Sequence, residues 1–206
     1  MNAVSVSVRT PAKVNLALMV GPLRSDGFHE LATVYQAVSL YDEVTATPAA
    51  PGEMTVTVTD AGAGGPGAGT RAGGGRRLPG VPLDGENLAV RAATLLARRR
   101  RIDAGVHLEI KKGIPVAGGM AGGSSDAAAA LVACDALWST NLDRAELQSI
   151  AADLGSDVPF CLVGGTAVGS GHGELVTPAL VRGSYDWVFA FDNEGMSTPA
   201  VYGELD

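Results

Sequence analysis

The stretch PVAGGMAGGSSDAAAALVACDALW, which begins at Pro115, constrains the fold of this chain more than any other segment. Four glycines and two serines lie between Gly118 and Ser125, and an alanine-rich segment of high helix propensity follows at once. The preceding HLEIKK has the composition of a strand. A strand, a glycine loop and a helix start bring unpaired backbone N–H groups and the positive end of a helix dipole together. The sequence therefore predicts an anion-binding site of the kind that holds phosphate.

A simple strand-to-helix connection is the alternative interpretation of this loop, but such a connection needs only one or two glycines. The hydroxyls of Ser124 and Ser125 add donors that can reach phosphate. The loop is not a Walker A motif, because no Gly-Lys-Ser/Thr triplet follows, and it lacks the strict G-x-G-x-x-G spacing of dinucleotide-binding loops.

Alternation of apolar and polar residues predicts several strands. The N-terminus predicts two short strands, Val4 to Val8 and a second after a break at Pro11. LATVYQAVSLYDEVTATPA and EMTVTVTD predict further strands, and short strands between glycine turns are expected in GGTAVGSGHGELVTP and YDWVFAFDNEG.

Three helices are predicted from apolar periodicity and capping residues. The first, NLAVRAATLLARRR, has Asn87 as its cap, and the second runs from about Ser124 to Trp138. The third runs from Asp143 to about Leu154, with Glu146 as the partner of Asp143 in a capping box. The Gly/Arg-rich residues 61–80 have little to bury and predict a flexible surface loop.

Charge and cysteine content exclude several classes of protein. The net charge of −7 opposes binding to nucleic acid or to an anionic membrane. The basic run ARRRR ends a predicted helix, where cations are favourable. Cys134 and Cys161 lie in apolar stretches without metal-ligand spacing, which predicts buried free thiols in a reducing compartment. No leader and no membrane-length apolar run is recognised, so a soluble, cytoplasmic protein is expected.

Lys13 in PAKVNLAL and Asp157 in LGSDVPF are charged residues in apolar surroundings. Taken alone, Lys13 can be a strand residue whose amine reaches solvent, and Asp157 can be a turn or cap residue before Pro159. Together near a phosphate they would form a base with a cationic partner.

PAKVNLAL, PVAGGMAGGSSDAAAAL and LGSDVPF resemble the first two signature motifs and the catalytic aspartate segment of the GHMP small-molecule kinases. The resemblance extends over nearly the whole chain, apart from the Gly/Arg-rich loop. It implies an α+β fold, with an N-terminal domain of the ribosomal protein S5 domain 2-like type over residues 1–163. Residues 164–206 would begin a ferredoxin-like C-terminal domain that binds substrate.

Within this superfamily, RSDGFHEL and LGSDVPFCLVGGTAVGSGHGE most resemble members that phosphorylate a hydroxyl of a cytidine diphosphate derivative in isoprenoid precursor synthesis. The resemblance implies ATP, with Mg²⁺ accompanying the nucleotide, as the phosphoryl donor; no carboxylate cluster marks a dedicated metal site. A monomer or weak homodimer is expected, with no nucleic acid or membrane partner.

The resemblance also implies a role for individual residues. Asp157 would take the proton of the attacking hydroxyl, and Lys13 would hold Asp157 ionised. Phe28 would stack on cytosine and His29 would hydrogen-bond its edge. The other substrate-binding residues would be Asn15, Thr198 and Tyr202. The ATP-binding residues would be Asn87, Leu88, Lys112, Pro115, Val116, Ala117, Gly118, Gly119, Met120, Ala121, Gly122, Gly123, Ser124 and Ser125.

Members of the family continue into a region with a third glycine-rich motif, whereas this sequence stops at Asp206. The C-terminal third is therefore expected to be absent, either because the chain is a fragment or because the protein lacks this domain. The alternatives are a nucleotide-binding relative that transfers nothing and another GHMP kinase, acting on mevalonate or a homoserine-type substrate, against which the Phe28–His29 pair argues. RNA binding by an S5-like domain is opposed by the acidic net charge.

Overall fold

The computed structural model describes residues 4–25, 27, 29–61, 78, 80–190 and 201. The strands are β1 (Val6–Leu23), β2 (His29–Ala49), β3 (Met54–Asp60), β4 (Gly105–Lys112), β5 (Thr166–Ser170) and β6 (Leu175–Pro178). The helices are α1 (Leu88–Arg100), α2 (Gly122–Trp138), α3 (Arg144–Leu154) and α4 (Val158–Val163).

The long strand β2 organises the sheet. Strand β1 pairs antiparallel with β2 over almost its whole length. On the other edge of β2, β4 pairs with residues 43–49 and β5 with residues 33–36, both antiparallel. Strand β3 lies parallel to β4, and β6 lies antiparallel to β5. The sheet order β3-β4-β2-β5-β6, with β1 on β2, therefore joins the N-terminal strand and the strands that follow α4 in one sheet.

Strand β1 differs from the prediction of two short strands around Pro11. One strand runs from Val6 to Leu23, and its register shifts between Pro11 and Ala12. Proline has no N–H to donate, so an irregularity in the ladder accommodates it without ending the strand. The prediction of a break was wrong because such a bulge keeps the pairing on both sides.

Helix α2 is the centre of the helical layer and packs against β1, β2, α1 and α4. It is buried almost all round, and its buried positions are mostly alanine, which lets neighbouring elements approach closely. The predicted helices α1 and α3 are confirmed, including the capping box of Asp143 and Glu146. Helix α2 begins at Gly122, slightly before the predicted Ser124.

Two segments after α3 differ from the sequence interpretation. Residues 158–163, which follow Asp157, form the short helix α4, which sequence reasoning did not identify. Residues 185–190 of the predicted last strand lie in no described strand, although β5 and β6 are confirmed. The six-residue apolar run 158–163 carries no periodicity that separates helix from strand.

The predicted loop 61–80 lies mostly outside the described residues, as do residues 191–200 and 202–206. Cys134 and Cys161 are buried free thiols, as predicted, and burial raises the pKa of each to about 12. Among the described helices, none is long and apolar enough to cross a membrane. The predicted domain boundary at residue 163 stays a prediction; β5 and β6, which follow it, extend the same sheet.

Candidate active site

A cleft of about 350 Å³ opens beside the N-terminus of α2. Except for Ser124 and Ser125, all the predicted ATP-binding residues line this cleft. Asn87 and Leu88 reach it from the start of α1, and Lys112 reaches it from the end of β4. The structure therefore brings together residues that lie as far apart in sequence as Asn87 and Gly123.

The backbone of the glycine loop has the form of an anion-binding nest. Ala117, Gly119 and Ala121 have φ values of 58°, 67° and 59°, and the residues between them do not share this left-handed conformation. Such alternation directs successive N–H groups into one concave surface. A left-handed conformation costs an alanine about 1–2 kcal/mol. The fold therefore holds Ala117 and Ala121 in a conformation that they do not prefer.

The N-terminus of α2 has no side-chain cap. By contrast, the Asn87 carboxamide accepts from Ala89 N at the start of α1, and the Asp143 carboxylate accepts from Glu146 N at the start of α3. The uncapped N–H groups of α2 meet the nest at the cleft. This combination suits a phosphate ligand.

Ser125 does not line the cleft. Its N–H donates to Ala121 O at 2.8 Å, and its hydroxyl donates to Pro11 O at 2.8 Å. Both donors are therefore used inside the fold, and the completely buried side chain joins α2 to β1. A phosphate contact stays a prediction for Ser125 and for the half-buried Ser124.

Lys13 and Asp157 meet beside the glycine loop. Lys13 Nζ lies 3.4 Å from Asp157 Oδ2. The Lys13 side chain is 9% exposed and the Asp157 side chain 31%, so the carboxylate remains within reach of a ligand. Lys13 N donates to Met120 O at 3.1 Å, which holds β1 against the loop. The predicted pair is therefore present and lies next to the predicted phosphate site.

Three neighbouring side chains orient this pair. Lys13 Nζ donates to Asn15 Oδ1 at 2.9 Å, and Asn15 Nδ2 donates to Thr33 Oγ1 at 2.6 Å. On the other side, Tyr35 OH donates to Asp157 Oδ1 at 3.1 Å. Asn15 was predicted to lie beside Lys13, but Tyr35 was not predicted. An alternating strand gives no signal for which buried tyrosine meets a carboxylate from a distant turn.

Asp157 stands at the N-cap of α4 but makes no side-chain capping bond there. Instead, its two oxygens lie against Lys13 and Tyr35. The Tyr35 ring stacks on Phe160 of α4 with 4.7 Å between ring centroids, which fixes α4 relative to β2. The carboxylate is thus positioned by groups on β1, β2 and α4.

A second set of charges lies under the glycine loop. Lys112 Nζ donates to Asp126 Oδ2 at 2.7 Å and also contacts Asp42 Oδ2. All three residues are at least 95% buried. Burial raises the pKa of Asp126 to about 8, although Lys112 opposes this change. For Lys112, burial lowers the pKa, but Asp126 and Asp42 outweigh it and raise the pKa overall.

Sequence reasoning identified Lys112 in this set but missed Asp42 and Asp126. The available signal was a carboxylate at an inward position of a strand and another in an otherwise apolar helix. Each needs a cationic or N–H partner when buried.

The predicted cytidine-binding residues are only partly described. His29 begins β2, and its Nδ1 donates to Gly21 O at 2.8 Å. A carbonyl oxygen can only accept, so Nδ1 carries a hydrogen in this contact. Phe28, Thr198 and Tyr202 lie outside the described residues, so their predicted roles stay predictions. Within the part of the chain that is described, no group of three or more His, Cys, Asp or Glu side chains is arranged to hold a metal ion.

Residues 87–165 match the family described as the GHMP kinases N terminal domain. A 4-diphosphocytidyl-2-C-methyl-D-erythritol kinase from Leifsonia xyli is 54% identical over 98% of this chain, which covers 61% of that protein. Proteins of the same name from Streptomyces avermitilis and Thermobifida fusca are 57% and 54% identical over 98% and 100% of this chain, which covers 62% and 64% of them. The chain therefore spans less than two thirds of the length of these relatives.

Solved structures agree with the sequence comparison. The crystal structure of a 4-(cytidine 5'-diphospho)-2C-methyl-D-erythritol kinase superposes with a TM-score of 0.64 at 35% identity, over 86% of this chain and 56% of that chain. Methanococcus jannaschii mevalonate kinase superposes with a TM-score of 0.58 at 12% identity, over 89% of this chain and 57% of that chain, and supports the fold alone. The predicted α+β fold of the GHMP kinases is confirmed.

Proposed function

We propose that this chain, which carries the GHMP kinase N-terminal domain, forms the ATP-binding and catalytic part of a 4-diphosphocytidyl-2-C-methyl-D-erythritol kinase. The observation that carries the proposal is the Lys13–Asp157 pair beside an uncapped helix N-terminus and a nest. In the reaction, the 2-hydroxyl oxygen of the substrate forms a bond to the γ-phosphorus of ATP. The bond from that phosphorus to the β,γ-bridging oxygen breaks, and ADP leaves. The product is the 2-phosphate, an intermediate of the non-mevalonate isoprenoid pathway.

The glycine loop holds the triphosphate in this proposal. Phosphoryl transfer depends mainly on positioning and on electrostatic stabilisation of the transferred group. Backbone N–H groups around Gly119 and at the start of α2 can position the phosphates and stabilise their charge, and no side chain has to move to do so. Asn87 and Leu88, which also line the cleft, are proposed to contact the adenosine. Mg²⁺ is proposed to accompany the nucleotide and to neutralise charge on its phosphates.

Asp157 is the proposed acceptor for the hydroxyl proton. A carboxylate oxygen has two lone pairs, so Oδ1 and Oδ2 can each accept one more hydrogen bond besides those from Tyr35 and Lys13. The Lys13 amine lies 3.4 Å from Asp157 Oδ2 and is proposed to orient the carboxylate toward the attacking hydroxyl. Asn15 holds the amine of Lys13 in this orientation.

The substrate class is proposed from the relatives' names and from the position of His29. His29, whose Nδ1 contacts Gly21 O at 2.8 Å, is proposed to hydrogen-bond the cytosine edge, as expected from the sequence. Phe28 precedes His29 and is proposed to stack on the cytosine ring, as expected from the sequence. A cytoplasmic location is proposed with this function, since buried free thiols suit a reducing compartment. A monomer or weak homodimer is also proposed.

The test is substrate-dependent ADP release by the natural polypeptide, with its intact mass recorded. Asp157→Asn keeps the shape of the side chain but removes the base. We expect kcat to fall by about 10²- to 10⁴-fold while ATP binding persists. The matched control is Asp153→Asn, which removes an exposed carboxylate paired with Arg99 on the outside of α3. Exposed pairs contribute little, so this variant should keep wild-type turnover.

Three outcomes would contradict the proposal. Unchanged turnover in Asp157→Asn would remove Asp157 as the base. ADP release that is indifferent to the cytidine substrate would contradict the substrate class. ATP binding without any turnover in a polypeptide of this length would indicate a nucleotide-binding relative that transfers nothing.

A further inference from the structure

Asp42 connects three groups around the entry to the glycine loop. Its Oδ1 accepts from Gly113 N at 2.7 Å and from Ile114 N at 2.8 Å. Its Oδ2 accepts from Lys112 Nζ. Two of these three donors are backbone groups of the segment that leaves β4 for the loop. A buried carboxylate with several N–H donors is a strong and directional tie.

The same set of charges reaches the end of the loop. Lys112 Nζ also donates to Asp126 Oδ2, and Asp126 lies near the start of α2. Gly122 packs directly on this amine, because a Cβ there would lie 3.1 Å from Lys112 Nζ. We call Asp42, Lys112 and Asp126 the loop-anchor cluster. Through it, one strand residue is linked to both ends of the loop that lines the cleft.

Strand β2 provides a firm base for this connection. A Cβ at Gly113 would lie only 2.4 Å from Tyr41 O, so the loop entry passes directly over the β2 backbone beside Asp42. Strand β2 is paired on both edges, which restricts its movement. The position of the loop entry is therefore set relative to the middle of the sheet.

We infer that Asp42 is a positioning residue for nucleotide binding, which acts by fixing the entry and the exit of the glycine loop at the spacing that the phosphates require. This inference rests on the proposed function in assigning the loop to nucleotide. Asp42 itself is completely buried and does not line the cleft, so its effect passes through Gly113, Ile114 and Lys112. A nest binds anions only while its N–H groups converge, and small shifts of the loop ends would spread them.

The test compares Asp42→Ala and Asp42→Asn with the wild-type chain by two measurements. Calorimetric titration with MgADP gives the nucleotide Kd, and amide hydrogen exchange of residues 113–121 reports how firmly the loop is held. Asp42→Ala should weaken MgADP binding by about tenfold or more and speed exchange in the loop. Asp42→Asn retains one oxygen for Gly113 N and Ile114 N, and should recover part of both effects.

The matched control is Asp135→Ala at the opposite end of α2. The Asp135 carboxylate also accepts from a backbone N–H, that of Leu142, at 3.0 Å, and from Thr140 Oγ1 at 2.5 Å. Asp135 likewise ties a backbone N–H to the end of a helix through its carboxylate, but it lies away from the cleft. Its removal should lower the Tm without changing the MgADP affinity or exchange in residues 113–121.

The inference is overturned if Asp42→Ala lowers the Tm but leaves the MgADP Kd and the loop exchange within about twofold of the wild type. If Asp42→Ala does not fold, the same comparison is made with Asp42→Asn. If the wild-type chain binds no MgADP, the proposed function fails at the nucleotide, and exchange in residues 113–121 alone decides whether Asp42 positions the loop.

Discussion

At the scale of single residues, the site depends on contacts between parts of the chain that are far apart in sequence. Tyr35 and Asp157 are separated by 122 positions, yet the phenol donates to the carboxylate. The hydrogen bond reaches the oxygen that does not face Lys13, so the two donors together fix the orientation of the carboxylate. The phenol hydroxyl can therefore be removed without touching the ion pair.

Tyr35→Phe should lower kcat by about tenfold and change the KM for ATP little, because it releases Asp157 but keeps the ring stack on Phe160. Steady-state kinetics with both substrates measures the effect. Tyr41→Phe is the control on the same strand, since Tyr41 is 41% exposed and its ring lies under Arg9. An equal loss of kcat in the two variants would show that Tyr35 acts only through the stability of the fold.

Residue identity in the sequence indicated part of this site. The sequence indicated Lys13 and Asp157 because each is a charge in apolar surroundings, and such charges need partners. It did not indicate Tyr35 or Asp42, because their partners lie on elements whose arrangement is set by long-range packing. The sequence did not indicate that Ser125 donates to Pro11 O, because a hydroxyl beside glycines can bind a ligand or another part of the chain.

At the scale of elements, the glycine loop and the start of α2 use glycine for two different reasons. Gly119 has a φ of +67°, and an added Cβ would meet no atom within 4 Å. Gly123 is also unobstructed, but it lies in the first turn of α2 without a left-handed φ. The backbone conformation, rather than space, therefore distinguishes the two positions.

Gly119→Ala should lower the free energy of unfolding by about 1 kcal/mol, because alanine resists the left-handed conformation. Gly123→Ala should raise it by about 0.5 kcal/mol, because alanine favours a helix. Urea denaturation of the two variants and the wild type measures both. Changes of the same sign and size would contradict the assignment of different backbone roles.

Elements with local signals were predictable, and elements defined by contacts were not. Helices α1 and α3 carry their caps in the sequence, and both were predicted with those caps. Helix α4 has only six residues and begins with Val158 and Pro159, so neither length nor periodicity marked it. The bulge at Pro11 was taken for a break, because the partner strand that continues past it is not visible in the local sequence.

At the scale of the whole molecule, the loop-anchor cluster places two carboxyl groups and one amine in the interior. Fully ionised, the cluster has a net negative charge, which burial disfavours. Both oxygens of Asp42 accept hydrogen bonds, whereas Asp126 Oδ1 has no partner among the described residues. Asp126 is therefore the member that holds a proton, in agreement with its pKa of about 8.

This protonation predicts a dependence of stability on pH. The ordinary pKa of 3.8 rises to about 8 in the folded chain, so between these values the folded state binds a proton that the unfolded state has released. The contribution of Asp126 to the free energy of unfolding is present in full below pH 3.8 and is lost as pH rises through about 8. Between about pH 5 and pH 9, the Tm of Asp126→Asn should fall less than that of the wild type.

Thermal unfolding of both proteins across this range measures the difference. Asp103→Asn, which changes an exposed carboxylate outside the helices, serves as the reference for removing one negative charge. Parallel profiles for Asp126→Asn and the wild type would show that Asp126 has the same protonation in the folded and unfolded chain.

Strand β2 carries His29, Tyr35 and Asp42, and through them it touches the proposed cytidine site, the base and the glycine loop. Inserting or deleting one residue within it would shift these positions against one another and turn side chains to the other face of the sheet. Over evolutionary time, we expect relatives to vary in side chains along β2 but to keep its length. Insertions should occur in segments where no strand pairing fixes the number of residues. A designer who alters specificity therefore has freedom to change residue types on this strand, but not to change the number of residues between its three sites.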